Sequence, residues 1–149
     1  MRYVLILILS LDLYPALGQV EVGFYPIQSH VSISTNSQRL IWADLRVQAN
    51  TILGNVHQEP HLMLNVKRTS FASFYVGLGV NANLFNYFSD MSPLNGYTVD
   101  LGARIRPIAN FQRFMVLFEV GPYINRNFDG GTLRAAIGLA YAFQRRGGH

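Results

Sequence analysis

Apolar and polar residues alternate with a period of two along most of this chain. From residue 71 to 83, Ala72, Phe74, Val76, Leu78, Val80 and Ala82 fall on one face, while Ser73, Tyr75, Gly77, Gly79, Asn81 and Asn83 fall on the other. A helix would gather apolar residues every three to four positions, so this is the signature of a strand with two unlike faces. The same pattern recurs over residues 39–50, where Ile41, Ala43, Leu45, Val47 and Ala49 oppose Asp44, Arg46, Gln48 and Asn50. Over 96–107, Val99, Leu101, Ala103 and Ile105 oppose Thr98, Asp100, Gly102, Arg104 and Arg106. Over 113–125, Phe114, Val116, Phe118 and Val120 oppose Glu119, Gly121 and Tyr123. Over 133–143, Leu133, Ala135, Ile137, Leu139, Tyr141 and Phe143 oppose Arg134, Ala136, Gly138, Ala140 and Ala142.

Less regular strands are predicted at 20–27 and 61–68, the second with Leu62, Leu64 and Val66 opposing Asn65 and Lys67. That places seven strands. An eighth follows if 20–35 divides near Gln28-Ser29, where the apolar parity passes from even positions to Val31 and Ile33. A β-bulge in one long strand would explain the same change of parity. Short links near Asn36-Ser37-Gln38, Thr69-Ser70 and Ala109-Asn110-Phe111 alternate with longer segments at 51–60 and 84–95 and a turn at Phe128-Asp129-Gly130-Gly131. Alternating short and long links predict an up-and-down meander.

The polar face decides which way such a barrel is turned. It carries Gly77, Gly79, Gly102, Gly121, Gly138 and Ala140, small residues that suit a crowded interior better than a solvated surface. The apolar face has no charge in mid-strand, as lipid requires. The expected fold is therefore all-β: a small closed antiparallel transmembrane barrel, most simply of eight strands. Asp44, Arg46, Lys67, Asp100, Arg104, Arg106, Glu119 and Arg134 are then expected to form a charge network in the lumen, with Arg104 and Glu119 as a candidate pair. Tyr97, Tyr141 and Phe143 are candidates for interfacial aromatic girdles.

Composition sharpens this picture. Of 149 residues only 13% are charged while half are apolar, so water is a poor solvent for the whole surface. Arg2 followed by the apolar run 3–9 and by Ala16-Leu17-Gly18 reads as a signal peptide over 1–18, cleaved before Gln19. The absence of cysteine excludes disulfides, thiol chemistry and cysteine-bound metal. A net charge of +4 is spread singly along strands rather than gathered in a stripe, so nucleic acid is not an expected partner.

These residues together resemble the small outer-membrane β-barrel proteins of Gram-negative bacteria, the group with OmpX-like and OmpA-barrel-like members. The resemblance spans about residues 19–143 and is most specific in the aromatic-ended strand 133–143, similar to the terminal strand that the outer-membrane assembly machinery reads. The tail Gln144-Arg145-Arg146-Gly147-Gly148-His149 departs from it, since that family usually ends at the aromatic residue. The asparagine- and aromatic-rich style is similar to barrels of the Bacteroidota. The resemblance implies residence in the outer membrane, lipids as partners, no cofactor, and a non-enzymatic role that is structural, adhesive or weakly porin-like.

Two other functions fit parts of the sequence. A lipocalin-like carrier would turn the apolar face inward around a ligand. A lipid-modifying enzyme would need a base and a hydroxyl such as His30 and Ser32 with an acid nearby. The stretch His57-Gln58-Glu59-Pro60-His61 offers metal-ligating types, but Pro60 bars the helix that His-Glu-x-x-His spacing requires. It is expected to be a solvated loop.

Overall fold

The computed structural model describes residues 19–49, 56–83, 86 and 91–144. Residues 1–18, read from the sequence as a signal peptide, and the tail beyond Gln144 lie outside the described residues. Eight antiparallel strands follow one another around a closed barrel in sequence order. They are β1 (Gln19–Tyr25), β2 (His30–Ser34), β3 (Ile41–Ala49), β4 (Val56–Arg68), β5 (Ala72–Ala82), β6 (Leu94–Ile105), β7 (Phe114–Asn125) and β8 (Gly131–Gln144). Closure comes from β1 against β8, with Val20 opposite Phe143 and Phe24 opposite Leu139. A closed sheet leaves no row of unpaired backbone groups along its seam, which is why alternating strands of this kind are stable as a barrel.

The eighth strand arises from division of the first, with a turn and no bulge. Pro26, Ile27, Gln28 and Ser29 connect β1 to β2, and Ser29 takes a φ of 52°. The turn reverses the chain, so the residues after it face outward on odd positions. Both pieces are short, seven residues and five.

Two sequence expectations are corrected here. Residues 56–60 are strand, not loop: β4 begins at Val56 and pairs with β3 through Pro60 opposite Leu45 and Glu59 opposite Arg46. Pro60 stands on the outward parity and is exposed. Lys67 is the second correction. A bulge between Asn65 and Lys67 sets Lys67 opposite the outward Phe74, so it leaves the interior and stands exposed at the strand end.

The apolar face is outside. Phe24, Ile33, Ile41, Leu62, Leu78, Leu101, Phe118, Leu139 and Phe143 are all exposed. The polar face is inside: Glu21, Asp44, Arg46, Glu59, His61, Arg104 and Glu119 are buried. This is the inverse of a soluble barrel, and the reverse of what a carrier of apolar ligands would need. Apolar side chains also enter the interior near the end where β1 begins and β8 finishes, hereafter the terminal end. There Tyr25, Met115, Leu117, Ala140 and Ala142 form one buried cluster and Trp42, Met63 and Tyr75 another.

Candidate functional site: the interior charge network

Alternation delivers the polar side chains of all eight strands to one narrow lumen, where they must satisfy one another. Arg46 on β3 is the hub. Its Nε lies 2.9 Å from Asp44 Oδ2, its Nη1 3.5 Å from Asp100 Oδ2 and its Nη2 2.8 Å from Glu119 Oε2. One guanidinium thus meets carboxylates from its own strand, from β6 and from β7. The planar fork makes this possible, since it presents donors in several directions at once.

Glu119 also accepts hydrogen bonds from the hydroxyls of Tyr25, at 2.9 Å, and Tyr75. Both rings reach it by lying along the barrel wall over glycines. A Cβ on Gly102 would strike the ring of Tyr75, and one on Gly138 would come within 2.8 Å of the ring of Tyr25. These two inner-face glycines are therefore what lets two tyrosines converge on one carboxylate.

Towards the terminal end, Arg104 pairs with Glu21 on β1 and donates to Ser34 Oγ at 3.1 Å. Its guanidinium carbon sits 4.1 Å from the centre of the Trp42 ring, a cation–π contact. Ser34 in turn donates to Asp44 at 2.7 Å, which joins this group to the hub. The second oxygen of Glu21 accepts from the backbone and hydroxyl of Ser37 at 3.2 and 2.7 Å. Towards the distal end, His61 Nδ1 lies 2.8 Å from Asp100, while its Nε2 lies 3.6 Å from Glu59. Arg134 reaches Glu59 at 2.9 Å and stacks 4.1 Å over the ring of Tyr123. The whole forms one connected chain of contacts from Ser37 to Arg134.

Of the eight residues singled out from sequence, the structure brings Asp44, Arg46, Asp100, Arg104, Glu119 and Arg134 into this chain. Arg106 is buried but bonds to Ser73 Oγ at 3.4 Å, apart from it. Lys67 is outside it, for the reason given above. Arg104 does not pair with Glu119. In the ladder Arg104 stands opposite Leu117 and Glu119 opposite Gly102, and each side chain crosses the lumen instead of reaching sideways. Sequence reading missed Glu21, Tyr25, Glu59, His61 and Tyr75. The parity of Glu21, Tyr25 and Tyr75 was visible, whereas Glu59 lay in the segment assigned to a loop and His61, first residue of the strand expected over 61–68, was grouped with the His57–His61 stretch expected to be a solvated loop.

The lumen is closed at the level of Arg104: Arg104, Tyr25, Met63 and Leu117 are each 0% exposed. Above it a cavity of about 480 Å³ opens towards the distal end, lined by His30, Arg46, Glu59, Thr98, Asp100 and Arg134 among others. His30 lies 4.4 Å from the ring of Tyr25, and Ser32 on the same face is fully buried. The Ser32 hydroxyl is thus out of reach of anything approaching from solvent. Among the described residues no group of three histidine or carboxylate side chains is placed to hold a metal ion, and His57 meets the amide of Asn95 at 3.2 Å.

Comparison of the chain with protein-family models, with curated proteins and with solved structures gives no match.

Proposed function

We propose that this chain is an outer-membrane barrel of a Gram-negative bacterium, non-enzymatic, with a plugged lumen and a structural or adhesive role. The observation that carries the reading is the orientation of the two faces. Apart from Lys67 and Arg68 at the end of β4, the outward residues of the strands form an uncharged, largely apolar surface, while most charged side chains of the strands lie paired inside. Water would expel such a surface, and monomeric soluble proteins rarely expose a contiguous apolar patch above a few hundred Å². Hydrocarbon accepts it, provided the backbone is satisfied, as closure ensures.

Dimensions and aromatics support the same reading. β4 to β8 have 11 to 14 residues, enough for a span that needs about 9–11 tilted residues. Aromatic pairs stand at both ends: Tyr97 stacks on Phe128 with centroids 5.5 Å apart at the distal end, and Tyr141 meets Phe143 at 4.9 Å at the terminal end. Such rings suit the two membrane interfaces. The closed cross-section at Arg104 favours the structural or adhesive role over a porin-like one.

Expression of the full chain in a Gram-negative host tests this. The protein is expected in the outer-membrane fraction, released only by detergent, with Gln19 as its first residue. Recovery as a soluble monomer from the periplasm would overturn the reading.

A further inference from the structure

We propose that the terminal end of the barrel carries a binding pocket for a phosphate-bearing anion, built by Arg106, Arg68 and Lys67. The three cations line a recess of about 690 Å³ whose floor is formed by Asn65 and Ser73 and whose rim is formed by the turns next to Gln38 and Gln112. Among the described residues no carboxylate lines it. That is unusual in a molecule whose other buried cations are paired, because an isolated buried charge is expensive.

Arg106 is the observation that points to a ligand. It is only 7% exposed, yet among the described residues it forms no ion pair. Its Nη1 reaches Ser73 Oγ at 3.4 Å, while its Nη2 is buried without a hydrogen-bond partner. The interior carboxylate at this end, Glu21, is already held by Arg104 and Ser37. A guanidinium with free donors at the base of a polar recess is a ready site for an oxyanion, whose oxygens match the fork.

The bulge in β4 completes the site. By turning Lys67 out of the lumen it places this ammonium at the rim, next to Arg68, whose guanidinium is anchored to the Gln38 carbonyl. Bulges commonly re-aim a side chain in this way. Three cations spread over a recess of this width fit a multiply charged phosphate better than a single carboxylate. The phosphate can belong to a soluble compound or to a lipid headgroup at the same end of the barrel.

The test uses the full chain refolded in a maltoside detergent, which carries no phosphate of its own. Pyrophosphate is titrated at constant ionic strength and binding followed by calorimetry. Saturable binding at one site is expected, weakened about tenfold or more by Arg106→Gln, as loss of charge-assisted hydrogen bonds implies. The exposed pair Lys67→Gln and Arg68→Gln should weaken it likewise while leaving the far-ultraviolet dichroism unchanged, which separates loss of the site from loss of the fold. The titration is then repeated in phosphatidylcholine nanodiscs with and without phosphatidylglycerol. A lower apparent affinity in the anionic discs assigns the site to lipid phosphate, and equal affinity assigns it to a soluble phosphate. Absence of saturable binding in every setting, or binding untouched by both sets of substitutions, would overturn the proposal. Neither result depends on where in the cell the barrel resides.

Discussion

Arg46 on β3 and Glu119 on β7 meet across the full width of the lumen, Nη2 to Oε2 at 2.8 Å, although their strands are not neighbours in the sheet. The contact braces opposite walls. Because both groups are buried, their desolvation is offset only while the contact holds. Arg46→Met removes the shared guanidinium from three buried carboxylates at once, Asp44, Asp100 and Glu119, and is expected to cost about 3–5 kcal/mol. Glu119→Gln keeps an acceptor for Tyr25 and Tyr75 and leaves Arg46 two carboxylates, so a loss of about 1–3 kcal/mol is expected. In a double-mutant cycle by urea unfolding, the double variant should lose less than the sum of the singles. Additive losses would show that the two walls are not coupled.

Trp42 is the single tryptophan of the chain, and Arg104 lies against its ring. Arg104→Lys keeps the charge but loses the fork and most of the stacking, for an expected loss of about 1–3 kcal/mol. Tryptophan emission should shift in the same variant without loss of strand content. Unchanged emission would mean that the guanidinium does not sit over the indole in solution.

Two inner-face glycines should differ in what they tolerate. A Cβ at Gly121 would run into the carbonyl of Val99, which is backbone, whereas one at Gly77 would meet the flexible side chain of Met63. Gly121→Ala is expected to cost about 3 kcal/mol, the upper end for overpacking, and Gly77→Ala about 1 kcal/mol. Thermal or urea unfolding of the two variants checks the order. Equal losses would remove the argument that Met63 can yield and the wall cannot.

A lumen closed at Arg104 should not conduct. Planar bilayers containing the unmodified protein are expected to stay silent, and a steady single-channel current would reject the plug.

The alternation of Ala72 to Ala82 or of Leu133 to Phe143 could be read directly, because the strand period is two and each face meets one environment. The turn at Pro26 to Ser29 was harder: it contains no glycine and no Asn-Gly pair, and a parity change alone fits a bulge as well as a turn. Glu59 and His61 were obscured by Pro60, which speaks against a strand unless its missing donor is tolerated at that position. The bulge that turns Lys67 outward leaves no mark on the alternation before it. Partners across the lumen are the least legible of all. Arg104 finds Glu21 and Arg46 finds Glu119 through strand tilt and side-chain length, whereas sequence order says only which strands lie side by side.

The proposal that the outward face is turned to lipid also predicts how charge is tolerated. Leu78 is exposed in mid-strand on β5, and Leu78→Arg should destabilise the barrel in a bilayer by about 2–4 kcal/mol if it lies near the midplane. The penalty should fall as the lipid is made thinner. A loss independent of lipid would point to packing instead of hydrocarbon as its cause.

The most direct test of the account is tryptophan quenching in vesicles of lipids with brominated acyl chains. The native protein reports from Trp42, which is 2% exposed and faces the lumen. A Leu78→Trp variant that also carries Trp42→Phe reports from the outward face. Strong quenching is expected for the variant and weak quenching for the native protein. Strong quenching of Trp42 with little at position 78, or no insertion into the vesicles at all, would contradict it.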